Sequence, residues 1–271
     1  MQTVEAKGAR IPLVGLGTWE LRGQDCVRLV QDAARLGYRH FDTAQKYGNE
    51  AEVGEGLRQS GLRRDDYFLT TKIWPDDFRA GDFARAARES LARLKLDHVD
   101  LLLLHWPSKE VPLAETLGAL VQAKKDGLTR HIGVSNFTVA LLEEALAGAP
   151  DIVCNQIELH PYLDGSKITA ACKKHGVAVV AYCPIARGRL TGDTVLADIG
   201  RRYGKSAAQV SLRYLVQQNY VVIPRTSKVE RLKENMSIFD FALSDAEMKQ
   251  IAALSKPGGR VVAVAHAPAW D

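Results

Sequence analysis

The chain has 271 residues, of which 46% are hydrophobic and 25% charged. That composition excludes disordered and fibrous classes, and the length suits one large core or two small ones. A net charge of +4 favours anionic ligands, but the bases are scattered and build no nucleic-acid stripe.

Strand-length apolar runs alternate with segments of helical period. The first run is Leu13–Thr18, followed by a helical stretch over Gln24–Leu36 that Gly37 is expected to end. Arg39–Thr43 is the second run, and Asn49 is expected to cap a helix reaching Ser60. Tyr67–Ile73 precedes a helix over Phe83–Leu96, and Val99–His105 precedes one over Leu113–Lys125. Arg130–Val134, Ile152–Glu158, Val177–Tyr182 and Tyr220–Pro224 complete eight runs, with helices expected over Thr138–Ala147, Ser166–His175, Ser206–Gln217 and Asp245–Leu254. Leu101–Leu104 and Val177–Val180 show no alternation, as expected of strands buried on both faces of a parallel sheet. Eight such units fit a closed (β/α)8 TIM barrel or a doubly wound sheet. The length and the lack of any linker or repeat favour the barrel as a single domain over residues 1–271.

No apolar run approaches the ~20 residues of a membrane helix. Met1–Pro12 lacks the blocks of a signal peptide. Cys26, Cys154, Cys172 and Cys183 form no C-x-x-C pair and read as reduced thiols of a cytoplasmic protein. No metal site and no membrane partner are expected.

Barrel chemistry sits where strands end. Asp42 and Thr43 end the second run, Lys72 lies at the end of the third, and His105 closes the fourth. Ser135 and Asn136, then Gln156 and Glu158, then Tyr182 close the next three, and Tyr47 lies just past Asp42. A tyrosine needs help to exchange a proton near neutrality. Lys72 is expected to lower the Tyr47 pKa, Asp42 to hold Lys72, and a neutral His105 to orient a carbonyl oxygen. Singly, each group has a plainer reading: a structural ion pair, a core histidine or a turn cap. Together, at neighbouring strand ends, they point to function.

The motifs carry a resemblance. GYRHFDTAQKYGNE at Gly37–Glu50, TTKIW at Thr70–Trp74 and VDLLLLHWP at Val99–Pro107 resemble, in order, signature blocks of the aldo-keto reductases. IGVSNF at Ile132–Phe137, Asn155 with Gln156, and IPRTSKVERLKEN at Ile223–Asn235 continue the match, which runs from about Ile11 to about Leu254. The resemblance implies NADPH-dependent reduction of a carbonyl, with Tyr47 as acid and Asp42, Lys72 and His105 completing a tetrad. It implies that Ser135, Asn136 and Gln156 bond the nicotinamide carboxamide and that Tyr182 stacks on its ring. Gly17, Thr18 and Asp42, with Pro184, Ile185, Arg187 and Gly188, would line the same NADPH/NADP+ site. Arg225, Thr226, Ser227, Lys228 and Arg231 would hold the 2′-phosphate, with Glu234 and Asn235 near the adenine.

The residues themselves agree at that last segment. Three cations and two hydroxyls before a helix suit a phosphate dianion, although a solvated basic face looks the same in sequence. Gly15-Leu-Gly17 lacks the third glycine of a Rossmann fingerprint. Tyr182-Cys-Pro-Ile185 departs from the family's usual Tyr-Ser-Pro-Leu, and Cys183 reads as a small buried residue there. Arg225 stands where many relatives carry lysine.

Trp19, Trp74 and Trp106 each follow a strand end and are expected to form an apolar collar around a small carbonyl substrate, with Tyr47 and His105 beneath. Short loops and a brief tail imply an open rim. That tail and the compact size resemble the bacterial 2,5-diketo-D-gluconate reductases, a subgroup that also reduces methylglyoxal, and a monomer is expected. Two other readings stand beside this one: a barrel lyase with Lys72 as Schiff-base nucleophile, and a cofactor-binding regulatory subunit.

Overall fold

A computed structural model describes residues 2–271. It opens with a hairpin that the periodicity does not announce. β1 (Thr3–Ala6) and β2 (Ala9–Pro12) pair antiparallel about Lys7 and Gly8, both at positive φ. Two left-handed residues are what a two-residue primed turn requires.

The eight expected runs all become strands, most of them trimmed at the ends: β3 (Leu16–Gly17), β4 (His40–Asp42), β5 (Phe68–Ile73), β6 (Val99–Leu104), β7 (Thr129–Ser135), β8 (Ile152–Glu158), β9 (Ala178–Tyr182) and β10 (Val221–Val222). They pair parallel in chain order. Parallel bridges Val14↔Val222 and Gly17↔Arg225 join the first to the last, so the sheet closes into a (β/α)8 barrel. Closure is tight at Gly17, where an added Cβ would stand 2.8 Å from the Ile223 carbonyl oxygen.

Around the barrel run α1 (Gly23–Arg35), α2 (Glu50–Gln59), α3 (Ala80–Leu94), α4 (Leu113–Lys125), α5 (Val139–Gly148) and α6 (Ser166–Lys174). α7 (Thr194–Tyr203), α8 (Ala207–Val216), α9 (Val229–Met236) and α10 (Asp245–Ala252) complete the set. None is long and apolar enough to cross a membrane. α7 falls between two expected elements. Asp193 caps it by accepting from the Leu196 amide, and its apolar face packs with residues of α8 and α10 rather than against the sheet.

The strand pleat sorts side chains into two cores. Leu101 and Leu103 join Phe68, Val180 and Val221 inside the barrel, above Ala6, Ala9 and Ile11 around the hairpin. Leu102 and Leu104 face outward into the layer under the helices. Both faces are buried, hence the four consecutive leucines. The same parity points Asp42, Lys72, Gln156, Glu158 and Tyr182 into the barrel at the C-terminal mouth, as the pairings Asp42↔Thr70, Lys72↔Leu103 and Glu158↔Tyr182 require.

Candidate active site

Lys72 is fully buried in β5, and its ammonium donates to Asp42 Oδ1 at 2.5 Å, the Thr43 carbonyl at 2.8 Å and the Tyr47 hydroxyl at 3.4 Å. Asp42 accepts on its other oxygen from Gln156 Nε2 at 2.7 Å. Tyr47 ends a single 3-10 turn, Gln45–Tyr47, just past β4. Gln45 pins that turn, donating to Asp77 at 2.6 Å and accepting from the Trp74 amide at 2.9 Å. Sequence reasoning missed Gln45, whose only signal was its place inside the signature block.

Asn49 corrects another expectation. It stands at the N-cap of α2 but makes no side-chain cap bond. Its amide is buried and donates to the Thr18 and Leu21 carbonyls at 2.8 and 3.0 Å, while its oxygen accepts from Thr43. It ties the loop after β3 to the Tyr47 segment.

Electrostatics also differ from the sequence expectation. The Tyr47 phenol is held well above its ordinary pKa, first by burial and then by Asp42 and Cys183. Lys72 stands 3.4 Å away, but burial outweighs the help its charge gives the phenolate. The phenol therefore stays protonated, the form a proton donor needs. Burial pushes Lys72 below its ordinary value, with Asp42 opposing. His105 lies well below its ordinary value through burial and then the Lys72 charge, so its imidazole is neutral. Its ring packs edge-on to Tyr47 at 5.6 Å between centroids and to Trp74 at 5.1 Å.

A hydrogen-bond chain continues along the mouth. The Tyr182 hydroxyl donates to Asn136 Oδ1 at 2.7 Å, and Asn136 Nδ2 donates to Ser135 Oγ and to the His105 carbonyl, both at 3.0 Å. Ser135 Oγ donates to the Gln156 carbonyl at 2.9 Å. Asn136 has φ 65°, a left-handed conformation that asparagine tolerates better than most residues. Tyr182, Asn136, Ser135 and Gln156 thus form one network with Asp42 and Lys72.

Pro184, Ile185, Arg187 and Gly188 lie in the loop after β9. Cys183, Ala186, Arg187 and Gly188 all have positive φ there, a strained stretch anchored by Ser211 Oγ on the Pro184 carbonyl at 2.6 Å. Cys183 is only half-buried, more open than expected, and all four cysteines are free.

Beyond β10, Arg225, Ser227, Lys228 and Arg231 are exposed about the start of α9, with Thr226 buried beneath. Thr226 Oγ1 accepts from the Lys228 amide at 3.0 Å. Among the described residues Lys228 makes no ion pair, while Arg231 pairs with Glu234 at 2.6 Å and Asn235 is buried. Arg225 spends two donors elsewhere: Nε bonds the Trp19 carbonyl at 3.0 Å and Nη2 the Glu20 carbonyl at 3.5 Å. Three exposed cations over buried hydroxyl oxygen fit an anionic group such as a phosphate. Gly17, Thr18 and Trp19 link this cluster to the mouth, since Trp19 packs edge-on to Tyr47 at 4.9 Å.

The three tryptophans are not equivalent. Trp19 is 40% exposed, Trp74 is half-buried and Trp106 is 4% exposed. Trp106 lies under the tail, against His266 and Trp270. The rim is therefore less open than the loop lengths imply. Among the described residues no group of three or more His, Cys, Asp or Glu is arranged to hold a metal.

Residues 13–256 match the model of the Aldo/keto reductase family. Methylglyoxal reductase DkgB of Escherichia coli O157:H7 is 42% identical over 265 residues, covering 96% of this chain and 99% of that protein. Glyoxal reductase of Bacillus subtilis (strain 168) is 41% identical over 251 residues, covering 92% and 91%. A crystal structure described provisionally as a 2,5-diketo-D-gluconic acid reductase B superposes with a TM-score of 0.98 at 47% identity, covering 100% of this chain and 98% of its own.

Proposed function

Because the chain belongs to the aldo/keto reductase family, and is therefore an oxidoreductase of carbonyl groups, we propose that it reduces small dicarbonyls and keto acids to alcohols with NADPH. Methylglyoxal and 2,5-diketo-D-gluconate are the substrates of choice, on the names of its relatives. The observation that carries the reading is the Tyr47 phenol set between a sealed Lys72–Asp42 pair and the His105 ring.

When bound, the nicotinamide supplies a hydride to the carbonyl carbon. Tyr47 hydrogen-bonds the carbonyl oxygen and gives up its proton as that oxygen gains charge. The Lys72 ammonium, 3.4 Å away, stabilises the phenolate left behind. Asp42 and the Thr43 carbonyl hold Lys72 for that task. His105 orients the carbonyl oxygen without competing as an acid. Ser135, Asn136 and Gln156 offer the carboxamide site, Tyr182 the ring platform, and Arg225, Lys228 and Arg231 the 2′-phosphate site. Trp19 and Trp74 flank the substrate.

A Schiff-base lyase fares worse. All three Lys72 donors are occupied, so no lone pair is free to attack. A regulatory subunit without turnover would not need the buried tetrad.

Tyr47→Phe tests the proposal. Turnover with NADPH and methylglyoxal or a diketo acid should fall by about 10²–10⁴-fold, while NADPH binding, read by fluorescence titration, stays unchanged. Undiminished turnover would remove the acid assignment.

A further inference from the structure

Glu158 ends β8 with its carboxylate buried among groups that the reaction does not use. Its Oε1 accepts from the Val261 amide at 2.5 Å and lies 3.0 Å from His160 Nε2, and its Oε2 accepts from the Val262 amide at 3.0 Å. Arg260 Nη1 stands 3.5 Å away. A buried carboxylate is expensive unless donors surround it, and two of these donors come from one irregular segment. Residues 255–271 form no helix or strand, so that segment has no ladder of its own to fix it.

What the segment carries explains why its position matters. His266 sits edge-on to Trp74 and Trp106, at 5.0 and 5.1 Å between centroids. Trp74 in turn packs on His105. The Arg260 guanidinium lies 3.6 Å from the Trp270 ring centroid, and the Asp271 side chain accepts from the Val139 amide at the start of α5. A Cβ at Gly259 would overlap the Tyr162 carbonyl, so the backbone passes close against that residue just before the segment reaches its seat. Hydrogen bonds to a charged acceptor are about twice as strong as neutral ones, which makes Glu158 the principal polar anchor of this seat.

We propose that Glu158 is a positioning residue that seats the 260–271 tail across the barrel mouth and so builds the His266 side of the carbonyl-binding wall. The inference rests on the carbonyl-reductase reading above. Glu158 touches neither hydride nor proton; it acts through the tail.

Glu158→Gln keeps the shape but offers one acceptor oxygen instead of two. Val262→Pro removes a donor from the tail side and leaves the barrel and the Arg260–Val261 bond untouched, which guards against a misfolded core. Both should raise the KM for methylglyoxal about tenfold, with NADPH affinity unchanged within about twofold. Both should also speed trypsin cleavage after Arg260, with the barrel intact by circular dichroism. Combining Glu158→Gln with His266→Ala should raise KM no further than the larger single effect, because both act on one wall. Folded variants with unchanged KM and cleavage would overturn the proposal. So would additive effects, or an NADPH loss matching the KM change, which would assign Glu158 to the Tyr182 side. If the wild type reduced no carbonyl, the functional reading would fall, and the cleavage rates would still decide the anchor.

Discussion

Adjacent residues of β5 meet buried carboxylates on opposite faces of the barrel wall. Outside, Thr71 donates to Glu50 at 2.5 Å, and Arg93 completes the neutralisation at 2.8 Å. Inside, Lys72 meets Asp42. The carboxylates are equally buried, but the cations are not: the Arg93 side chain is 38% exposed and that of Lys72 0%. An arginine that keeps one end in water costs little and braces α3 against α2 and β5. A sealed lysine pays full desolvation, which packing alone does not reward. The difference separates a brace from a machine. The inner pair is retained because a phenol and a neutral imidazole stand beside it.

Replacing each cation by methionine breaks the comparison most severely. Lys72→Met should cut turnover by about 10³-fold and destabilise the fold by about 3–5 kcal/mol, since Asp42 keeps only Gln156. Arg93→Met should cost about 2–3 kcal/mol of stability, Glu50 retaining Thr71, with turnover per folded molecule unchanged. Urea unfolding and steady-state rates on the same preparations decide it. Equal turnover losses would mean that the outer pair shapes the site as much as the inner one.

The inner face itself has two ends. His40 lies near the hairpin, its Nδ1–H donating to the Pro12 carbonyl at 3.2 Å, and His105 lies at the mouth. Burial holds both imidazoles below their ordinary value of 6.5. The folded protein thus keeps them neutral while the unfolded chain protonates near 6.5. Below that pH the unfolded state binds more protons, so stability falls as pH falls and recovers above it. Each imidazole contributes about 1.4 kcal/mol per pH unit to the slope until its folded pKa is reached. His40→Gln and His105→Gln should each flatten the loss of stability between about pH 6.5 and 5. Only the second should also depress turnover. An unchanged slope in both would place the titration elsewhere.

The sequence disclosed the inner face better than anything that folds across it. Non-alternating runs such as Leu101–Leu104 report burial on both faces, and parity then carries Asp42, Lys72 and Gln156 inward. The hairpin was illegible because Lys7-Gly8 is a weak turn signal in a segment of four-residue strands. α7 was passed over because its partners are other helices, so no strand run announces it. The tail was misread as a short open rim. Nothing periodic marks it, and its seat is set by Glu158, about a hundred positions away. The Tyr47 pKa differs from expectation for a related reason: residue types reveal that Lys72 is near, but only the structure reveals that the phenol is buried, beside Asp42 and Cys183.

The smallest expected effect tests whether location alone gives a surface charge a function. Arg231 on α9 pairs with Glu234 three residues on, with side chains 53% and 22% exposed. Arg35 on α1 pairs with Asp32 three residues back, at 66% and 26%. As exposed ion pairs both should be worth under about 1 kcal/mol of stability. They differ in company, since Arg231 stands with Arg225 and Lys228 beyond β10 and Arg35 ends a helix away from the mouth. Arg231→Ala should weaken NADPH about tenfold, the value of a charge-assisted bond to phosphate, and NADH much less. Arg35→Ala should alter neither. Titration of both cofactors against both variants is sufficient. Equal losses of NADPH and NADH in Arg231→Ala would detach the basic cluster from the 2′-phosphate and leave it a solvated face like that around Arg35.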